Sequence, residues 1–408
     1  MMKKWFQNSG PATLIAAAFI GPGTVTICTI AGVNFGFHLL WAMLLSIFAT
    51  IILQEMAARV GIISQKGLSE VVKQEIKNPI FKKIIIGLIL TAIVIGNASY
   101  EAGNISGGIL GLETIFGQWI FTTDLFSVNL MSILVGIIAF ILLYIGNYKF
   151  LEKALISFVL LMSFSFLITA IITKPNLLEV FQGLLIPSLP EQSLLTVIGL
   201  IGTTVVPYNL FLHASLVKEK WKTKEDILHA KRDTIIAVGL GGLVSISIII
   251  SAAAISTNEV LNATDLALGL APLYGDFAKY FLAIGLFSAG ITSAITAPLA
   301  AAFVAKECFG WQSNLTSKSF RAVWMTILFL GVIFASVGIK PLEIIKFAQI
   351  ANGFLLPIIT AILLWIMNKK SVLGNFTNTK IQNIFGFFIF LITIFLGLKM
   401  ILKVFNLF

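Results

Sequence analysis

Charge is scarce in this chain. Only 11% of its 408 residues are Asp, Glu, Lys or Arg, against about 25% in ordinary soluble domains, while 58% are hydrophobic and the mean hydropathy is +0.99. So few charges cannot coat a water-soluble body of this length, and a polytopic membrane protein is expected. Cysteine is scarcer still. Cys28 and Cys308 are the only two; both lie in or beside apolar runs without metal-type spacing, which excludes a disulfide framework and leaves them as small core residues. A phosphate loop with its lysine and a nucleophile-base constellation are also missing, so neither an enzyme nor a cofactor is expected. No cleavable leader is expected either, because Lys3 and Lys4 precede an apolar run too long for a signal h-region.

What is present is a series of long apolar runs. They fall at about 12–34, 39–58, 84–114, 128–146, 154–173, 193–217, 234–256, 277–304, 321–338, 342–367 and 382–404, each near or above the ~20 residues that a bilayer requires. Eleven spanning helices follow. With the N-terminus inside, 22 of the 28 Lys and Arg lie on the inner side, and the outer loops 115–127 and 257–276 hold none. The positive-inside rule then orients the chain, with a cytoplasmic N-terminus and multiple passes through a cell inner (plasma) membrane. The net charge of +10 is thereby read as a topology signal with some attraction to anionic lipid, not as a nucleic-acid footprint.

Two of the runs are interrupted at their centres. Phe19-Ile20-Gly21-Pro22-Gly23-Thr24-Val25 places a proline, which cannot donate to the Ala18 carbonyl, between two permissive glycines. Five spans later, Gly202-Thr203-Thr204-Val205-Val206-Pro207-Tyr208-Asn209 repeats the device and frees the Thr203 carbonyl. An odd number of spans separates the breaks, so the second five spans are inverted relative to the first. Backbone that leaves its helix at membrane depth is tolerated only where protein encloses it, and paired breaks in inverted halves mark a mid-membrane binding site. The expected division is 1–173 for the first repeat, 174–192 for an outer loop, 193–370 for the second repeat, and 371–408 for a linker and the eleventh helix.

Few ionisable residues lie inside the spans. Glu101, within Gly96-Asn97-Ala98-Ser99-Tyr100-Glu101-Ala102-Gly103-Asn104, is expensive in lipid and is a candidate for proton or ion coupling; the plainer alternative is a buried acid bonded to Asn97 or Asn104. His213, in the inner half of the sixth span, is a second coupling candidate or a packing residue. Lys346 lies one turn above Gln349 in the tenth span and is expected to turn outward and pair with Glu343. His38 and His229 sit at membrane edges and receive no role.

These segments together resemble the NRAMP family of divalent-metal transporters. The resemblance runs from Ser9-Gly10-Pro11 to about Gly374, and is carried by Leu39-Leu40-Trp41, Gln54 to Gly61, Leu151-Glu152, Pro207 with Asn209-Leu210-Phe211-Leu212-His213, Arg232-Asp233-Thr234, Gly290 to Ser293, and Gln349 with Pro357 and Asn368-Lys369-Lys370. It implies an all-α integral membrane protein of eleven helices with the leucine-transporter-type inverted five-plus-five repeat, helices 1 and 6 broken, moving metal cations with protons by alternating access. The family's first-span Asp-Pro-Gly-Asn and sixth-span Met-Pro-His-Asn supply its metal ligands. Here the Asp, Asn, Met and His positions hold Gly21, Thr24, Val206 and Tyr208, and the third-span Asp-x-x-Glu becomes Ala98-x-x-Glu101.

The resemblance therefore points to a substrate site formed by Gly21, Thr24, Val206, Tyr208, Asn209 and Gln349, with Glu101 and His213 for coupling. Such a site has lost its anionic and thioether ligands. Hydroxyl, amide and carbonyl oxygens suit hard ions, and Mg²⁺ binds such groups while keeping water. Three readings stay open: a transporter of inorganic cations with altered chemistry, such as hydrated Mg²⁺ or a monovalent ion; a transporter of a small organic solute; and a sensor or scaffold that does not transport.

Overall fold

The computed structural model describes residues 20–404, apart from 124–126, 147–148, 256–259 and 312–314. Lys3, Lys4, Ser9-Gly10-Pro11, the Ala18 carbonyl and the first half of the first expected span lie outside the described residues.

Helices begin where the local chemistry starts them. Pro22 opens α1 (Pro22–Phe35), its fixed φ suited to a first helical position that needs no donor. Next come α2 (Leu40–Ser64) and a short amphipathic α3 (Leu68–Glu75). Asn78 starts the 38-residue α4 (Pro79–Phe116) by accepting from the Ile80 and Phe81 amides, with Pro79 at the first helical position. A small antiparallel hairpin, Ile120–Thr122 with Ser127–Asn129, leads to α5 (Leu130–Ile145), which Asn129 caps. There follow α6 (Lys149–Ile172), α7 (Leu177–Leu185), α8 (Leu194–Thr204), α9 (Pro207–Lys220) and α10 (Ile227–Ala253). After short turns over 263–277, α11 (Ala278–Phe309), α12 (Lys318–Ser336), α13 (Pro341–Met367) and α14 (Lys380–Val404) complete the chain.

Among the described residues nine helical stretches, α8 and α9 together forming one, are long and apolar enough to cross a bilayer. The apolar α5 is shorter, and α1 is described only from its break onward. In lipid no hydrophobic drive joins helices, so close packing of small residues must do it. That is what α11 provides. Its Ala289, Gly290, Ser293, Ala294, Ala297, Ala300 and Ala301 are buried, and it packs along α4, which also carries α12 and α13. A second group joins α1 to α8 and α10, and α2 to α9 and α10, while α13 contacts both α4 and α8. The breaks in α1 and between α8 and α9 thus lie where the two groups meet.

Two boundaries differ from the sequence expectation. The second helix does not close at 58 but runs to Ser64, so Arg59 is not in a loop. It is buried, paired with Glu55 at 2.7 Å, and donates to the Phe376 carbonyl and Asn378. A polar terminal turn reads as loop in sequence, yet residues 317 to 319 positions further along the chain satisfy it. Glu307, near the end of α11, is likewise enclosed. Its Oε1 accepts from Ser215 of α9 at 2.5 Å and lies 4.0 Å from Lys218 Nζ, and the carboxyl rests flush on Gly67 at the start of α3. This contact binds the two helix groups together on the face that carries the basic loops.

Candidate functional site

The second expected interruption is present, and at the first the described chain enters α1 from extended backbone. Gly21 caps α1 with extended backbone at φ −89°, ψ 177°. Between α8 and α9, Val205 and Val206 leave the helix, with Val206 as the cap of α9 at φ −85°, ψ 120°. The interruption is local because proline removes the donor for a single carbonyl, and α9 resumes at once with Asn209 N–H donating to the Val206 carbonyl at 3.1 Å.

The two breaks touch each other. Thr24, in the first turn of α1, shares a 2.8 Å hydrogen bond between hydroxyls with Thr203, in the last turn of α8. Thr24 is thereby engaged within the protein. Gln349 of α13 lies against Gly23 so closely that a Cβ there would overlap its amide, and Pro22 packs in the same way on Gly107 of α4. Tyr208, in the first turn of α9, meets Tyr100 of α4 edge to face with centroids 5.4 Å apart. Four helices, α1, α4, α9 and α13, converge at this point, joined by the end of α8.

The polar groups gathered here are buried and largely unsatisfied. Among the described residues Tyr208 Oη, both side-chain polar atoms of Asn209, and Gln349 Oε1 have no hydrogen-bond partner, although these residues are at most 2% exposed. A native interior leaves few such atoms, since each costs about 1–3 kcal/mol. Four such atoms lie on the segments that meet at this junction. All are neutral. Among the described residues no three His, Cys, Asp or Glu side chains converge as metal ligands.

Of the expected substrate residues, Gly21, Thr24, Val206, Tyr208, Asn209 and Gln349 all lie on these converging segments. The coupling candidates lie elsewhere. Glu101 packs its Cβ and Cγ onto Gly331 of α12, about 120° around α4 from Gly107, which meets Pro22. Its Oε2 accepts from Asn104 at 3.3 Å, and Oε1 has no partner among the described residues. Asn97, the other expected partner, donates instead to the Ala297 carbonyl. His213 sits in the α2–α9 contact, its Nδ1 2.6 Å from Gln54 Oε1 and its Nε2 without a partner among the described residues. With the Gln54 oxygen as acceptor, Nδ1 carries the proton and Nε2 keeps a free lone pair. Lys346 turns outward and pairs with Glu343 at 2.9 Å, as the three-residue spacing predicts.

Sequence reasoning missed Asn352, one turn beyond Gln349 on α13, buried at 2% exposure with an unpartnered Nδ2 among the described residues. The spacing of three residues from Gln349 was its available signal. One surface groove among the described residues lies away from the breaks. It measures about 1170 Å³, is lined by apolar residues of α5 and α12 such as Ile137, Phe140, Phe329 and Ile333, and belongs to the lipid-facing side.

Known proteins resemble this chain in sequence and in fold. The divalent metal cation transporter MntH of Caldanaerobacter subterraneus subsp. tengcongensis is 25% identical over 94% of this chain and 90% of its own length. The protein of the same name from Bacillus subtilis is 25% identical over 97% and 92%. A manganese transporter of Eremococcus coleocola superposes with a TM-score of 0.76 at 19% identity, over 97% of this chain and 86% of that one. Mhp1, a nucleobase-cation-symport-1 family transporter in a closed conformation, does so with a TM-score of 0.58 at 15% identity, over 98% and 94%. These structural likenesses are of the fold alone. Residues 12–403 match the family described as Nramp, natural resistance-associated macrophage protein-like, and on that match the chain belongs to the Nramp family.

Proposed function

We propose that this chain is a secondary-active transporter of an inorganic cation that crosses with part of its water shell, by alternating access around the junction of α1, α8, α9 and α13. Nramp members are transporters rather than enzymes, and relatives named as divalent metal cation transporters support a metal cation as the cargo. The observation that carries the reading is the neutral cluster of Tyr208, Asn209 and Gln349, buried and unpartnered among the described residues. A stripped Mn²⁺ or Fe²⁺ in such a pocket would lose hydration without a carboxylate in return, at a cost of several kcal/mol. A hydrated Mg²⁺, or a monovalent ion with a smaller dehydration cost, fits oxygen-bearing amide and hydroxyl groups better.

The unpartnered Asn209 amide N–H and Tyr208 hydroxyl can also face acceptors, which favours a small organic solute as the second reading. Uptake by proteoliposomes across Mn²⁺, Mg²⁺, Na⁺ and amino acids, with an internal pH dye, separates the readings. Cation flux is expected. Amino-acid flux alone would replace the cargo, and silence with every probe would make the chain a sensor or scaffold.

The same reading places eleven spans, inverted repeats over 1–173 and 193–370, and a cytoplasmic N-terminus in a cell inner membrane. Its support is the charge asymmetry, 22 of 28 basic residues on one side. A cysteine introduced at Thr264 is expected to react with an impermeant reagent added outside intact cells, and one at Lys222 to stay unlabelled until the cells are opened. The reverse pattern would overturn the orientation.

A further inference from the structure

Asn352 occupies a definite face of α13. Ala348 Cβ lies 2.9 Å from where a Cβ on Gly103 would sit, and Leu355 Cδ1 lies 2.6 Å from the same point on Gly96. Residue 352 is four positions after 348 and three before 355, so it shares their face toward α4. Halfway between Gly96 and Gly103 on α4 is Tyr100, the residue whose ring meets Tyr208. Asn352 is thus set over the tyrosine pair, one turn beyond Gln349, whose backbone carbonyl lies against Gly202 of α8. It is as buried as Gln349, at 2% exposure, and its Nδ2 has no partner among the described residues. A leucine of similar volume would fill the space without leaving a buried donor unsatisfied.

We propose that Asn352 is a substrate-contacting residue that sets selectivity, completing with Tyr208, Asn209 and Gln349 a neutral ring that holds the cation through its water. The inference rests on the cation reading above and deepens it. Its chemical basis is the polarity of the ring. A bare cation is repelled by an amide N–H, whereas a hydrated one presents two layers to the protein. Water bound directly to the ion donates its hydrogens, which the Gln349 and Asn209 oxygens accept; water further out keeps free lone pairs, to which the Asn352 and Asn209 N–H groups donate. A ring with both donors and acceptors therefore reads the shell rather than the ion. It favours Mg²⁺, which dehydrates reluctantly, over transition metals that prefer nitrogen or sulfur ligands.

The test is uptake of Mg²⁺ and Mn²⁺ by proteoliposomes holding the full-length chain, with wild type compared to Gln349→Leu, Asn352→Leu and Asn352→Asp. Asn352→Leu is expected to raise the KM for Mg²⁺ about tenfold while the protein still elutes as a single species. Asn352→Asp, which replaces a donor by a carboxylate able to displace a water, is expected to shift preference toward Mn²⁺. A Mg²⁺ KM unchanged in Asn352→Leu, with uptake lost in Gln349→Leu, overturns the role of Asn352 alone. No cation flux by wild type overturns the cation reading and this inference with it, whereas full Mg²⁺ uptake in Gln349→Leu leaves a cation as cargo and overturns the ring, and so this inference. Should Asn352→Leu fail to fold, Asn352→Asp decides: an unaltered Mn²⁺ to Mg²⁺ ratio ends the proposal.

Discussion

Gly21→Asp together with Val206→Met is expected to raise Mn²⁺ affinity by about two orders of magnitude, a difference of about 2.7 kcal/mol in binding free energy. The backbone accepts both changes. Gly21 has φ −89° and ψ 177°, and Val206 φ −85° and ψ 120°, extended conformations open to any residue. Each residue caps the helix that follows a break, so the new carboxylate and thioether would stand at opposite sides of the same junction. The carboxylate supplies the larger part. Two unit charges at 4 Å attract by about 4 kcal/mol at an effective dielectric of 20, and a divalent ion doubles this before desolvation reduces it. The thioether adds preference for softer metals.

Two opposing effects limit the gain. An aspartate at Gly21 can cap the free amides of α1, which stabilises the metal-free protein by about 0.5–2 kcal/mol and competes with the ion. Val206 is fully buried, and a longer side chain there costs about 1–3 kcal/mol of stability through overpacking. Gly21→Asp alone should therefore retain most of the affinity gain. Calorimetric titration with Mn²⁺ on wild type, both single variants and the double variant measures each contribution. No gain in the double variant would mean that the geometry of the junction, and not its ligand set, has diverged from that of Mn²⁺-binding relatives.

Glu101→Gln is expected to abolish the pH dependence of uptake and to leave the KM for the cation within about twofold of wild type. The separation follows from where the side chain points. Tyr100 meets Tyr208 at the junction, but Glu101, one residue later, is rotated by about 100° around α4 and packs on Gly331 of α12. Its stem is thereby held on α12 rather than on α1 or α13. It remains a fully buried carboxyl with one oxygen held by Asn104 and the other unpartnered among the described residues, and intramembrane acids of this kind mark proton pathways. Glutamine preserves shape and the Asn104 contact while removing the exchangeable proton. A raised KM would return Glu101 to the binding site. A pH profile that survives in Glu101→Gln and vanishes in His213→Gln would assign coupling to the α2–α9 contact, where His213 Nε2 is also without a partner among the described residues.

The features legible in the sequence are those set within a few residues of chain. Pro22 opens α1 and Pro207 breaks the sixth span wherever those helices pack, because the missing donor and the fixed φ belong to the residue itself. Asn78 and Asn129 start helices for reasons contained in one turn, and the Glu343–Lys346 pair follows from a three-residue spacing on an exposed helix face. Long apolar runs imply spans because lipid leaves the backbone no partner but itself. Tertiary structure alone decided the direction of each polar side chain inside the membrane. A helix surrounded by protein has no polar face to phase it, so nothing local turns Tyr100 toward α9 and Glu101 toward α12, or sets Asn352 over the tyrosine pair. Nor could local sequence join Thr24 to Thr203 across 179 residues, or enclose Arg59 and Glu307 at helix ends that read as exposed loop. Those positions depend on which helices lie side by side, and in a bilayer that is set by close packing of small residues along α4 and α11 rather than by any pattern of polar and apolar residues along one helix.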